Sequence, residues 1–315
     1  MDLAAAFYAA DRRHLSVRNL GIGGSVKYAL ITGHKGFIGR HFAAELERRG
    51  WHVAGCDITD GDDCRDLFAN AGFRYDLVIH CAANVGGRAR IDGDPLAVAE
   101  NFAIDSDMFR WAARTGQRKV IYFSSSAAYP VAYQDGESNL PLEEDDQKVS
   151  HVLGSPDQTY GWAKLAGEKM AEAARQHGVE TFIFRPFSGY GEDQSLDYPF
   201  PSFIARAKRR DDPFEVWGDG TACRDWIHVD DIVAGVMAVV EAGYSEGPVN
   251  LCTGVATSFN KLAERVTYEA GYSTLLLHFT DRPVGVQYRV GDPTLLHKFY
   301  RPRITLENGI RRCFK

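Results

Sequence analysis

Tyr28-Ala-Leu-Ile-Thr-Gly-His-Lys-Gly-Phe-Ile-Gly39 decides the fold. Its first five residues form a short apolar run, the mark of a strand buried in a parallel sheet. Glycines follow at 33, 36 and 39, and then a helical pattern that stops at Arg49-Gly50. That spacing between a strand and a helix suits a dinucleotide pyrophosphate. The first glycine makes the tight turn, and the second lets backbone approach the phosphates. The third lets helix pack on strand, and the helix N-terminus favours negative charge. A second strand, His52 to Cys56, ends at Asp57. A carboxylate there accepts hydrogen bonds from an adenosine ribose and repels a 2′-phosphate, which favours NAD over NADP. Asp60, Asp62 and Asp63 are either adenine contacts or an acidic solvated turn.

Outward from this unit, apolar runs at Leu77 to Cys81, Val120 to Phe123 and Thr181 to Phe184 alternate with helical stretches. Those stretches are Cys64 to Ala71, Pro95 to Thr115 and Tyr160 to His177. Strand alternating with helix predicts an α/β fold, a Rossmann-type doubly wound parallel sheet. After Arg185 the rhythm breaks, and Gly, Pro and aromatic residues crowd in through Pro213. A helix at Asp230 to Ala242, a strand at Val249 to Cys252 and a helix at Asn260 to Ala270 follow, with irregular sequence over Asp281 to Arg303. The expected division is an N-terminal extension (1–26), a nucleotide-binding domain (27–185, with 225–250 returning to it) and a smaller α+β substrate lobe (186–224 and 251–315). In the extension, Asp2 to Leu15 reads either as an added amphipathic helix with a Gly21 to Gly24 linker or as a frayed end.

Composition sets the class of partner. The 315 residues are 45% hydrophobic and 25% charged, as in ordinary soluble domains. With 36 basic against 42 acidic residues, the net charge of −6 argues against nucleic acid and anionic membrane. No apolar run approaches the ~18 residues that span a bilayer. The six cysteines are scattered without metal-ligand spacing, so neither a disulfide framework nor a metal is expected, and the cytoplasm is the expected compartment.

Tyr160-Gly-Trp-Ala-Lys164 sets a phenol and an ammonium at i and i+4, on one helix face. A free tyrosine titrates near pH 10, and a fixed cation beside it favours the phenolate, giving a general acid/base for a sugar hydroxyl or carbonyl. Upstream, Ser124-Ser-Ser126 follows a strand, where a hydroxyl can bond the oxygen that gains or loses a hydride.

Together these residues resemble the extended short-chain dehydrogenase/reductases, in particular their nucleotide-sugar epimerases, dehydratases and reductases. The resemblance runs from about Lys27 to the C-terminus. It is carried by Thr32 to Gly39, His80-Cys-Ala-Ala83, Phe123 to Ser126 with Tyr129, Tyr160 to Lys164, Arg185-Pro186 and Trp217 to Asp231. It implies catalysis by Ser125, Tyr160 and Lys164, the lysine also holding the nicotinamide ribose. It places cofactor contacts at Gly33, Lys35, Gly36, Phe37, Ile38, Gly39, Asp57, Ala82, Ala83, Tyr160, Lys164 and Pro186. A nucleotide-diphosphate sugar would meet Val85, Ser126, Ser188, Arg224 and Arg282, the two arginines taking the diphosphate. Trp217 belongs either beside the nucleotide base or in the core. The resemblance also implies a homodimer through Leu96 to Ala113 and Ala163 to Arg175, whose faces include Phe102, Phe109, Trp111 and Met170, faces that are covered either by a second subunit or within the protomer.

Departures from the family pattern narrow the chemistry. The 4,6-dehydratases carry an Asp-Glu pair after the catalytic Thr/Ser, where this chain has Ser126-Ala127. The GDP-sugar 3,5-epimerases and fucose synthases place a cysteine two residues before Tyr-Pro, where this chain has Ala127. Ser188 stands where the family usually has Asn. Val85-Gly86-Gly87 looks like the loop of the GDP-sugar branch, and Arg88 behind it is either a substrate contact or a solvated charge. The expected activity is NAD-dependent C4 epimerisation through a transient 4-keto sugar. The rivals are an NADPH-dependent 4-keto-sugar reductase and a catalytically idle NAD-binding sensor or scaffold.

Overall fold

The computed structural model describes residues 26–86, 93–137, 139–149, 155–282 and 284–315. The N-terminal extension, Gly87 and Arg88 lie outside the described residues. In chain order the elements are β1 (Tyr28–Thr32), α1 (Phe37–Arg48), β2 (His52–Cys56), α2 (Cys64–Asn70), β3 (Leu77–His80) and α3 (Pro95–Thr115). Then come β4 (Lys119–Phe123), α4 (Gln158–Arg175), β5 (Glu180–Pro186), β6 (Ser188–Tyr190), α5 (Pro199–Arg209), β7 (Phe214–Trp217) and β8 (Cys223–His228). The chain ends with α6 (Val229–Ala242), β9 (Pro248–Leu251), β10 (Ala256–Ser258), α7 (Phe259–Glu269), β11 (Leu276–Phe279), β12 (Tyr288–Arg289) and α8 (Leu306–Cys313).

Six strands form one parallel sheet in the order β2-β1-β3-β4-β5-β9. Its central strands are apolar on both faces because helices cover both. Phe42 and Leu46 of α1 join Ile232 and Val236 of α6 on one face, and Phe68, Met108 and Ala171 of α2, α3 and α4 pack on the other. Each fully buried Leu, Ile or Phe there stabilises the sheet by about 1.5–3 kcal/mol. The strand order reverses between β1 and β3, so a crevice opens at their carboxyl ends. Ligands of doubly wound sheets bind at such a point.

The smaller lobe joins β10, β8 and β12, with β6 pairing β8, and β7 pairs β11 in parallel beside it. Its core holds Tyr190, Phe200, Phe203, Phe214, Trp226 and Val266. Between 185 and 213, where irregular chain was expected, α5 stands. Its two prolines hide it: Pro199 and Pro201 fall in the first turn, where the missing N–H donors would have no intrahelical partner. Of the two coverings open for Phe109 and Trp111, the protomer itself supplies one. Phe109 packs on the Tyr122 ring of β4 and Trp111 on Phe68 of α2, with Trp111 Nε1 donating to the Ala71 carbonyl at 2.9 Å. The exposed apolar residues of α3 and α4 are Leu96, at 83%, and Trp162, at 48%.

Candidate active site

Each glycine of the first loop has its own steric cause. Gly33 has φ +69°, and a Cβ there would lie 2.8 Å from the Ala82 amide nitrogen. At Gly39 a Cβ would fall 2.1 Å from the Gly33 carbonyl oxygen. The Gly36 amide donates to that same oxygen at 3.0 Å, and Gly36 caps α1, whose first turn carries no acid. The result is a bare backbone cradle at a helix N-terminus, with Cys81 and Ala82 against Gly33 and Phe37 against Gly191 at the entry to the smaller lobe.

Asp57 closes the adenosine end. Its Oδ1 accepts from the Thr59 amide and hydroxyl at 3.0 and 2.7 Å, and its Oδ2 accepts from the Lys35 amide at 2.9 Å. Burial opposes ionisation, but these hydrogen bonds hold the carboxyl below its ordinary range. A carboxylate has about four acceptor positions, so Oδ2 retains capacity for one ribose hydroxyl. The nearby acids serve the protein itself. Asp60 pairs with the Lys35 ammonium, and Asp63 caps α2 and binds Arg65.

At the end of β4 the three serines diverge. Ser124 donates to Glu168 and Ser126 is buried, while Ser125 caps the turn 126–128, its Oγ accepting from the Ala127 amide at 3.1 Å. The Ser125 hydroxyl faces the Tyr160 phenol and favours its ionised form. Gly161 makes this approach feasible: a Cβ there would lie 2.3 Å from the Ala127 carbonyl oxygen, so α4 rests directly on the turn. Burial pushes the Tyr160 phenol up to about 12, and Asp105 adds to the rise. The Ser125 hydrogen bond and the charge of Arg289 pull it back. Lys164, one turn along α4, is 4% exposed and sits 5.1 Å from the Tyr122 ring centroid.

Arg289 had no signal in the sequence, lying in the stretch expected to be irregular. Its Nη2 donates to Asp157, directly before α4, at 2.8 Å, and its Nε donates to Gln134 at 2.5 Å. In the parallel pair of β12 and β8 it stands in register with Arg224. Arg224 itself donates to the carbonyls of Cys223 and Val284, and the Arg282 guanidinium lies 5.8 Å from the exposed Trp217 ring. Trp217 is therefore outside the core, and Arg224 and Arg282 converge on one loop. Ser188 lies on β6 opposite Trp226, Pro186 ends β5, and Val85 is exposed after β3.

Behind α4, Glu168 holds Arg185 in a two-pronged ion pair at 2.8 and 2.7 Å, both side chains buried. A second buried group runs from Thr32 through His80 and Asp105 to Tyr122. Asp105 had a readable signal. It falls with Val98, Asn101, Met108 and Ala112 on the buried stripe of α3, where a carboxylate must have partners.

The model of the NAD dependent epimerase/dehydratase family matches residues 29–252. The chain belongs to this family. The GDP-mannose 3,5-epimerase 1 of Oryza sativa subsp. indica is 28% identical over 306 residues, covering 89% of this chain and 79% of the rice protein. GDP-L-fucose synthase of Escherichia coli strain K12 is 26% identical over 317 residues, 92% of this chain and 96% of that one. Among solved structures, MoeE5 in complex with UDP-glucuronic acid and NAD is similar with a TM-score of 0.74 and 27% identity, covering 90% of this chain and 96% of MoeE5. As a family member the chain is an extended short-chain dehydrogenase/reductase of epimerase or reductase type.

Proposed function

We propose that this protein is an NAD-dependent epimerase of nucleoside-diphosphate sugars that inverts C4 through a transient 4-keto sugar. One observation carries the reading. Ser125, on the turn after β4, faces the Tyr160 phenol of the helix that rests on that turn, while positions 126 and 127 offer only a buried serine and an alanine. A proton relay for hydride chemistry is present, whereas the positions that serve elimination or carbon deprotonation in relatives hold no acid or base.

The cradle fits NAD. Gly33, Gly36 and Gly39 would take the pyrophosphate with Lys35, Phe37 and Ile38 along the loop, Asp57 would take the adenosine ribose, and Ala82, Ala83 and Pro186 would line the crevice. When bound, the cofactor supplies a hydride acceptor that later returns the hydride, so no net redox occurs. The chain's own residues then handle position and protons. Arg224 and Arg282 grip the diphosphate, a task suited to their planar forks. Val85, Ser126 and Ser188 line the sugar. Tyr160 removes the C4 hydroxyl proton and later returns one to the C4 oxygen, once the keto sugar has turned its other face to the hydride donor. Ser125 bonds the same oxygen throughout, and Lys164 and Arg289 favour the phenolate. We also assign a homodimer, supported by Leu96 and Trp162 standing exposed on α3 and α4.

The test is to denature purified protein, identify the released cofactor, and screen UDP-, GDP-, dTDP- and CDP-sugars for isomers without added cofactor. Released NAD(H) with isomer formation is the expected result. A requirement for added NADPH, with one absorbance change per turnover, would establish a reductase instead.

A further inference from the structure

Lys164 is a buried ammonium, and a buried charge needs a counter-charge. Three carboxylates are packed about α4. Glu168, on α4 itself, is held by both prongs of Arg185, and Asp157, before α4, is held by Arg289. The third, Asp105, accepts from the Tyr122 hydroxyl at 2.5 Å through Oδ2 and meets His80 Nε2 at 3.1 Å through Oδ1. Neither donor needs to carry a charge, so the carboxylate's negative charge is left for the lysine.

The geometry agrees. The Lys164 ammonium sits over the ring of Tyr122, and the hydroxyl of that ring is the one bound by Asp105. One turn beyond Lys164 stands Gly167, where a Cβ would lie 1.8 Å from the Tyr122 hydroxyl oxygen and 2.8 Å from Asp105 Oδ2. The helix has been thinned at that residue to let the pair approach. The chain of bonds continues to the cofactor loop. Thr32, last residue of β1, bonds His80 Nδ1 at 2.7 Å, and its hydroxyl oxygen accepts from the Ala82 amide at 3.3 Å.

We propose that Asp105 is the buried counter-ion of Lys164, a positioning residue that keeps the lysine charged and seats α4 against the cofactor loop through Tyr122, His80 and Thr32. Among the described residues, the remaining titratable groups facing Lys164 offer no rival anion. Burial pushes the Cys81 thiol up to about 12 and the Tyr122 phenol well above its ordinary value, so both stay neutral. Tyr160 is neutral until it gives up its proton, and His80 is a donor to Asp105. Burial disfavours the Asp105 carboxylate, but Lys164, His80 and Tyr122 together hold its pKa below the ordinary value.

The role assigned to Lys164 rests on the epimerase reading, but the proposed charge coupling across the Tyr122 ring does not, so the decisive measurement uses full-length protein without cofactor or substrate. The side-chain nitrogen of Lys164 is titrated by NMR, its signal assigned by its loss in Lys164→Met. In Asp105→Asn the titration should fall by one or more pH units, a tenfold or greater loss of proton affinity. In Tyr122→Phe, which removes a hydrogen bond but no charge, it should stay where it was. Read from the other side, the Asp105 carboxyl should titrate higher in Lys164→Met than in the parent protein, which tests the pair even if Asp105→Asn does not fold. An unmoved Lys164 in Asp105→Asn, or an unmoved Asp105 in Lys164→Met, overturns the proposal. With turnover established, Asp105→Asn should move both limbs of the kcat profile toward acid, because Tyr160 loses a neighbouring anion and Lys164 its partner. A merely structural role would lower the profile without moving its limbs.

Discussion

Arg289 of the smaller lobe and Asp157 of the larger one are joined at 2.8 Å, with only 14% and 10% of their side chains exposed. The bond ties the strand that stands in register with Arg224 to the residue that caps α4, three residues before Tyr160. The residues proposed for substrate grip and for proton transfer are thus held to one frame.

Replacing Arg289 with Gln should therefore act in two ways. Stability should fall by about 1.5–3 kcal/mol, the worth of hydrogen bonds to a charged group, measured by urea unfolding. The acid limb of kcat should also move to higher pH. Arg289's charge favours the phenolate, so removing it raises the phenol's pKa, and more alkali is needed to reach the active form. An unmoved limb would confine Arg289 to a structural role.

Tyr160→Phe should lower kcat by about 10²–10⁴-fold, the range for a lost general acid/base. Most of the cofactor should still be retained on purification, because the cradle and Asp57 remain when the phenol, one of several contacts the resemblance implies, is lost. Loss of cofactor and rate together would point to a binding role.

Gly39→Ala brings a Cβ against the Gly33 carbonyl oxygen. Overpacking of this kind costs about 1–3 kcal/mol, and here any relief must come from moving the turn itself. The variant should melt lower and release its dinucleotide on gel filtration. Retention of cofactor at the parent level would mean that the turn is more forgiving than its geometry implies.

How much of this was legible from residues depended on the range of the forces involved. The sheet strands could be read because burial on both faces leaves a local apolar run, as in Tyr28 to Thr32. The glycine loop could be read because its spacing is local, Gly36 and Gly39 answering the Gly33 carbonyl, although Gly33 itself answers Ala82 beyond the end of the neighbouring strand. Arg289 could not, since its meaning arises from partners at Gln134 and Asp157, brought together only by the fold. Helix α5 was missed for a local reason, its two prolines lying where a helix tolerates them. What covers Trp111 could not be read, because an aromatic on a helix face looks the same whether α2 or a second subunit covers it.

That same ambiguity shapes the next prediction. With Trp111 and Phe109 accounted for, Leu96 and Trp162 are the exposed apolar side chains through which α3 and α4 would meet a second copy. Light scattering at micromolar concentration should give twice the mass of one chain. Trp162→Glu should shift it toward one chain, since a carboxylate in a dry helix–helix contact lacks a partner. A parent protein that scatters as a single chain would remove the dimer.

The sheet order also bears on how the chain is made. Strand β5 pairs on its outer side with β9, Phe184 beside Val249 and Pro186 beside Leu251. The α6 residues that cover Phe182 and Phe184 lie immediately upstream of β9. During synthesis, then, five parallel strands emerge well before the sixth and its covering helix. For that interval the nascent sheet carries an open edge and a bare apolar face, the conditions under which chains pair with the wrong neighbour. A polypeptide cut after Pro186 should precipitate, whereas one reaching past Leu251 should give a protected sheet. The late-arriving strand makes the nucleotide-binding lobe a unit that cannot be finished from its own stretch of message.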